Sequence, residues 1–179
     1  MNDHASPGSG QELEPPADRP TMPENYGLNT AGDDLALLSW SRVTEQMEIA
    51  RSYWVGTTRS DGRPHVMPVW GVWIDDVFYF GTAPGTIKAR NLESNPAAVV
   101  HLESGDDVVI VEGRAEKMVE MDADLYERVA ASYAPKYDGF APNSPSVNEP
   151  LYAVHPQVVF AWLESDFFRT ATRWRFGET

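Results

Sequence analysis

Three runs of strand-forming residues follow one another closely: "YWVGTT" from Tyr53, "PHVMPVWGVWI" from Pro64 and "VFYF" from Val77. Asp61-Gly62 separates the first pair and Asp75-Asp76 the second. β-branched and aromatic runs bounded by turn residues read as an antiparallel meander, and this constrains the fold more than any other stretch. Pro64 and Pro68 have no N–H to give a ladder. The strand that carries them must lie at an edge, contain a bulge, or face something other than a neighbouring strand there. A ligand is one candidate for that space.

Further strands are expected from "AAVVHLE" and "DVVIVEGRAEKMV", which flank the turn Gly105-Asp106-Asp107, and from "LYAVHPQVVFAWLE" and "TATRWRF". Helical spacing appears in "SWSRVTEQMEIARS", where Val43, Met47 and Ala50 recur on one face. It appears again where Leu125, Val129 and Ser132 or Tyr133 share a face, with Asp122 or Asp124 suited to the first turn. Thr86 suits the N-cap of a short helix through Asn91 and Leu92 that Asn95-Pro96 would stop. Six or seven short strands with two or three helices are too many antiparallel pieces for a doubly wound sheet. A barrel with helices packed on it is the expected architecture, mainly β within the α+β class.

Residues 1–32 hold five prolines among Gly, Ser and acidic residues and are expected to form a flexible tail. The compact domain is expected over residues 33–179. A formal net charge of -13 disfavours nucleic acid and anionic membranes as partners. No apolar run approaches a membrane span, the stretch from Met1 to Pro20 lacks the basic and apolar regions of a secretory signal, and a cytoplasmic location is expected. There is no cysteine, and His65, His101 and His155 lie far apart without metal-ligand spacing, so no metal is expected. No Gly-x-Ser-x-Gly elbow, Walker loop or GxGxxG is present.

Against that acidic background stands "GTIKARN", Gly85 to Asn91, with Lys88 and Arg90 just after a Pro-Gly turn. On spacing alone a solvated helix end is the simpler reading. A strand ending at Gly81-Thr82, a Pro84-Gly85 loop and a helix start at Thr86 would also aim free N–H groups and two hydroxyls at one point. With Lys88 and Arg90 beside them, a phosphate would satisfy these donors.

Together, "DGRPHVMPVWGVW", "VFYFGTAPGTIKARNLESNP", "VVIVEGRAEKM" and "ATRWRF" resemble the split β-barrel flavin and deazaflavin oxidoreductases, the superfamily of pyridoxamine 5'-phosphate oxidase. The resemblance runs from about Leu35 to Phe176. It implies an antiparallel split β-barrel, dimeric, with cofactor sites in the homodimer interface. Thr82, Thr86 and Lys88 match the phosphate ligands, with Arg90 and Asn91 beside them, and His65, Val66, Met67, Pro68 and Val69 match the strand along the flavin ring. Arg173 and Trp174 resemble the C-terminal residues that close the pocket, from the same or the other subunit.

Ile87 stands where the vitamin B6 oxidase has Arg, Val108 where it has Gln, and Thr-Arg-Trp-Arg-Phe replaces its C-terminal substrate motif. These departures point away from pyridoxamine phosphate. They point towards the actinobacterial branch that binds the 8-hydroxy-5-deazaflavin coenzyme, with FMN the alternative cofactor. The implied reaction is hydride transfer from reduced deazaflavin to a small conjugated acceptor; a non-enzymatic carrier of flavin or haem is the alternative from another class. Tyr133, Tyr137, His65 or solvent could protonate the product, and no catalytic residue is assigned. The loop from Ala134 to Pro150 is expected to shape the pocket.

Overall fold

The computed structural model describes residues 14–21 and 36–177. In chain order the elements are β1 (Ala17–Asp18), α1 (Trp40–Ile49), β2 (Tyr53–Thr58), β3 (Pro64–Val69), β4 (Val72–Ile74) and β5 (Val77–Gly81). They continue as α2 (Ile87–Ser94), β6 (Ala97–His101), β7 (Asp107–Met118), α3 (Ala123–Lys136), β8 (Leu151–Leu163), α4 (Phe167–Thr170) and β9 (Thr172–Arg175). All nine strands join one antiparallel sheet in the order β1-β9-β8-β7-β6-β2-β3, with β5 pairing both β8 and β4.

The sheet closes around one core because alternate residues of each strand point inward. Phe78 and Phe80 of β5 lie opposite Val154 and Tyr152 of β8, and all four are buried in the main cluster with Val55, Val100, Val111 and Trp174. The intervening residues Tyr79 and Ala153 face outward and are covered by Val129, Tyr133 and Tyr137 from α3 and its C-cap. Period-2 alternation thus produces two apolar layers, one inside the barrel and one beneath α3. Strand β8 runs beside β7 over its whole length, with a register shift at Glu112/Gly113; its first residues pair with β5 and its later ones with β9.

Local chemistry explains the helix boundaries. Ser39 caps α1 by accepting from the Arg42 N–H at 3.3 Å, and Trp40, Val43 and Met47 are its buried face. Asp122 caps α3 through the N–H groups of Asp124 and Leu125. The buried residues of α3 are Val129 and Tyr133, so the four-residue spacing prevails over Ser132. Asp75 and Asp76 both adopt positive φ, at 49° and 60°, as a two-residue hairpin turn requires. Strand β3 pairs only with β2 among the described residues, and both its prolines therefore sit on an edge strand.

The strand count exceeds the expected six or seven because Trp70-Gly71 divides one run into β3 and β4, and because β1 is added. That last strand departs from the expected tail: Ala17 and Asp18 pair with Trp174 and Arg173, and Asp18 accepts both arms of the Arg173 guanidinium at 2.7 and 2.6 Å. The remainder of the expected tail, residues 1–13 and 22–32, lies outside the described residues. None of the described helices is long and apolar enough to cross a membrane.

One phenol ties α3 to the strand junction. The Tyr137 hydroxyl accepts from the Gly71 N–H at 2.8 Å and lies 2.9 Å from the carbonyls of Arg51 and Gly71, to either of which it can donate. A Cβ at Gly71 would meet the Phe78 ring at 2.3 Å, so only glycine fits this turn. Tyr137→Phe strands the buried Gly71 N–H and should lower stability by about 1–3 kcal/mol, read from the urea-unfolding midpoint.

Candidate functional site

The Thr82 to Asn91 segment is built as the local sequence dictates. Gly85 has φ of +79°, and a Cβ there would meet nothing within 4 Å, so the turn faces open space. Thr86 follows as the N-cap of α2; its hydroxyl accepts from the Ala89 N–H at 3.3 Å and lies 3.1 Å from the Thr82 hydroxyl. The first N–H groups of α2 that this cap leaves free have no partner within the helix, as at any helix start.

Lys88 projects from this first turn into a cavity of about 620 Å³. The cavity lies between the end of β3, the end of β5 and the loop after α3. Pro68, Val69 and Thr82 line it with Lys88. So do Trp70, Tyr133 and the loop residues Phe140, Asn143 and Glu149. The Lys88 ammonium makes no hydrogen bond or ion pair among the described residues, and partial burial holds its pKa below the usual lysine value. His65 stands close enough to feel it. Desolvation first, then the charges of Arg59 and Lys88, hold the imidazole pKa below its ordinary value, and its buried Nδ1 has no hydrogen-bond partner among the described residues. A partly desolvated cation and a helix start meet at this cavity, and His65, which is not in its lining, is linked to Lys88 through charge. These residues fit the phosphate-bearing end of a flavin-type cofactor.

The cavity's other walls combine aromatic rings with the polar side chains of Asn143 and Glu149. Trp70 is 49% exposed, yet its ring stacks on Tyr137 at 4.6 Å and meets Phe140 edge-on at 5.8 Å. The Asn143 side chain donates to Glu149 at 2.9 Å, and Ser146 and Glu149 exchange backbone hydrogen bonds, which folds the loop back on itself. Val66 and Met67 are 48% and 44% exposed on edge strand β3, beside the cavity rather than in its lining.

Four expected site residues are not brought to this point. Arg90 lies two positions beyond Lys88, and residues two apart on a helix point to nearly opposite sides. Its guanidinium turns back to the Gly85 carbonyl at 2.6 Å and lines a separate groove with Arg59 and Asp61. Asn91 is buried and donates to Thr57 at 2.9 Å, and the Thr57 hydroxyl reaches the His65 carbonyl at 3.5 Å. These hydrogen bonds tie α2 to β2 and β3. Arg173 and Trp174 are neighbours on β9 and so face opposite ways: Arg173 pairs with Asp18, and Trp174 is 1% exposed against Trp40 in the core. Within one chain neither lines this cavity.

Of the candidate proton donors, Tyr137 and Tyr133 are held by backbone groups. The Tyr133 hydroxyl lies 3.3 and 3.4 Å from the carbonyls of Trp70 and Tyr79, and burial raises its pKa well above the ordinary phenol value. Sequence reasoning did not single out Phe140, Asn143 or Glu149. The one signal for them is a long loop dense in proline and asparagine after α3. Among the described residues no group of three His, Asp or Glu side chains could hold a metal.

The described residues thus form an antiparallel barrel with a cavity beside an edge strand, and Lys88 enters that cavity from a helix start. The model for the pyridoxamine 5'-phosphate oxidase family matches residues 41–163, more than half of the chain, and the protein belongs to that family. Among solved structures, the conserved hypothetical protein Rv2991 of Mycobacterium tuberculosis is 23% identical with a TM-score of 0.59, over 74% of this chain and 88% of that one. A protein named F420 reductase is 24% identical with a TM-score of 0.50, over 64% and 94% of the two chains. HutZ, the haem storage protein of Vibrio cholerae, is 20% identical with a TM-score of 0.54, over 68% and 93%. These likenesses establish a shared fold. No curated protein matches the chain.

Because the folded His65 pKa is depressed, the unfolded chain binds the extra proton first as pH falls. The stability associated with neutral His65 is therefore present above the ordinary histidine pKa and is lost as pH falls through the folded value. Its NMR titration midpoint should lie below 6.5 and should rise in Lys88→Met but not in Lys88→Arg; an unmoved midpoint in Lys88→Met would separate the two residues.

Proposed function

We propose that the protein is an oxidoreductase that binds a flavin-type cofactor at the Lys88 cavity and acts on a small conjugated acceptor such as an enone or quinone. The observation that carries this reading is the unpaired, partly desolvated Lys88 ammonium at the open helix start, in a chain of net charge -13. Reduced 8-hydroxy-5-deazaflavin, the cofactor we favour, supplies a hydride when bound.

The chain's own contribution is position and exclusion of water. Lys88, the Thr82–Thr86 hydroxyl pair and the first N–H groups of α2 hold the anionic end. The backbone of edge strand β3 from Val66 to Val69 offers an edge along which a ring can lie. Trp70, Phe140 and the 138–150 loop shape the remaining space, which is where an acceptor would stack. With both tyrosine hydroxyls held by backbone groups, solvent supplies the product's proton in this scheme, and His65 stays neutral near pH 7.

The exposed edge strand also supports a homodimer: Val66, Met67 and Trp70 are exposed apolar residues in or next to β3, which pairs only with β2 among the described residues. The replacement of the B6 oxidase's Arg and Gln by Ile87 and Val108 favours deazaflavin over FMN. Kinship of fold with a haem storage protein keeps binding without turnover as the reading that replaces this one if no acceptor is reduced.

The test is titration of cofactor-free protein with oxidised deazaflavin and with FMN, followed by tryptophan fluorescence. Deazaflavin should bind more tightly. Lys88→Ala should weaken binding by roughly 10- to 100-fold, as loss of a charge-assisted hydrogen bond does, while its thermal midpoint stays near the parent value. Unchanged affinity in Lys88→Ala would move the anion site elsewhere.

A further inference from the structure

A second cavity, of about 830 Å³, lies between the end of α1, strand β4 and the last turns of α3. Ile49, Val72, Ile74 and Pro135 make its apolar side. Its charged groups are Glu48, Arg51, Asp75, Arg128 and Lys136. The two arginines are already matched, Arg51 with Asp138 at 3.0 Å and Arg128 with Asp75 at 2.5 Å.

Lys136 differs from both. It has no carboxylate within ion-pair distance among the described residues, and its Nζ donates to the Tyr53 hydroxyl at 2.8 Å. That hydroxyl donates onward to the Met47 carbonyl, so the phenol oxygen is a fixed acceptor for one amine N–H. Desolvation pulls the amine pKa down to about 8, with Glu48 opposing it. The chain's other lysines provide internal contrasts. Lys117 is paired with Glu93 at 2.8 Å, which raises its pKa, and Lys88 lies in the first cavity and makes no hydrogen bond to a phenol among the described residues.

An amine that gives one N–H to a phenol, lines a partly apolar cavity and has no carboxylate within ion-pair distance among the described residues can act as a nucleophile there in its neutral form. We propose that Lys136 is a covalent docking point for small neutral aldehydes that enter this second cavity. The amine nitrogen attacks the carbonyl carbon and forms a C–N bond as the carbonyl π pair moves to oxygen. A proton passes from nitrogen to that oxygen to give a carbinolamine. Loss of one water then gives the imine. No oxidant or reductant is required, and hydrolysis reverses the step.

Trapping with benzaldehyde and cyanoborohydride at about pH 7.5, followed by peptide mapping of the full chain, tests this, since an amine's neutral fraction changes about tenfold per pKa unit. Lys136 should carry roughly tenfold or more adduct relative to Lys117 and should also exceed Lys88. Denaturation in urea should level the three. Equal labelling in the folded protein, or labelling led by Lys88, overturns the proposal.

Ala131 is exposed at the cavity wall, so Ala131→Trp narrows the cavity without entering the core. It should reduce benzaldehyde labelling of Lys136 severalfold while leaving labelling by formaldehyde in place. Undiminished benzaldehyde labelling would show that the cavity does not select the aldehyde, and would equally overturn the proposal.

Discussion

The Tyr137 hydroxyl joins three segments that are distant in sequence, through the Gly71 N–H and the carbonyls of Arg51 and Gly71. Gly71 is the point where the chain leaves edge strand β3 and enters the barrel as β4, with the Phe78 ring in the space any side chain would need. On one side of this junction Trp73 and Phe78 enter the core. On the other, Trp70 stacks on the same Tyr137 ring and forms a wall of the Lys88 cavity. Both the barrel seam and the cavity mouth depend on one buried phenol, which is why α3 ends where it does. The helix closes the outer face of β5 and β8 with Val129 and Tyr133, and its C-cap residue then fixes the start of the loop that completes the cavity.

Charge is distributed with the same economy. Most cations of this acidic chain are matched: Arg51 with Asp138, Arg63 with Asp61, Lys117 with Glu93, Arg173 with Asp18. Such exposed pairs contribute little to stability. Their consequence is the contrast they leave, because Lys88 and Lys136 have no carboxylate partner among the described residues and each stands in a cavity. Partial withdrawal from water lowers both amine pKa values. The two then differ by what surrounds them: a helix start and imidazole around Lys88, a phenol and an apolar wall around Lys136. The first environment suits an anion, the second a neutral electrophile.

Much of the fold was legible from local chemistry. The Asp61-Gly62 and Asp75-Asp76 turns, the Thr86 cap, the edge position of the proline-bearing strand and the helical faces all follow from preferences that act within a few residues. What local chemistry leaves open is the direction of individual side chains. Lys88 and Arg90 lie two apart on α2, and the 100° step of a helix sends them to opposite sides. Arg173 and Trp174 are neighbours on a strand and face opposite ways, so within one chain the first meets Asp18 and the second the core. The Asn91 side chain donates to Thr57 at the buried α2–β2 junction. The segment at 14–21 lacked any strand signal because its pairing depends on an edge that only the finished sheet offers.

The sequence by itself determined that the chain makes an antiparallel barrel with two or three packed helices and a glycine turn opening onto a helix start, because turns, caps and hydrophobic period are local properties. Only the tertiary structure decided which cations lack a partner, that Trp70, Phe140 and Glu149 share a cavity with Lys88, and that Lys136 meets Tyr53. Those outcomes depend on strand register and on the rotation of each helix about its axis. Both are set by how many distant side chains pack at once rather than by neighbours along the chain.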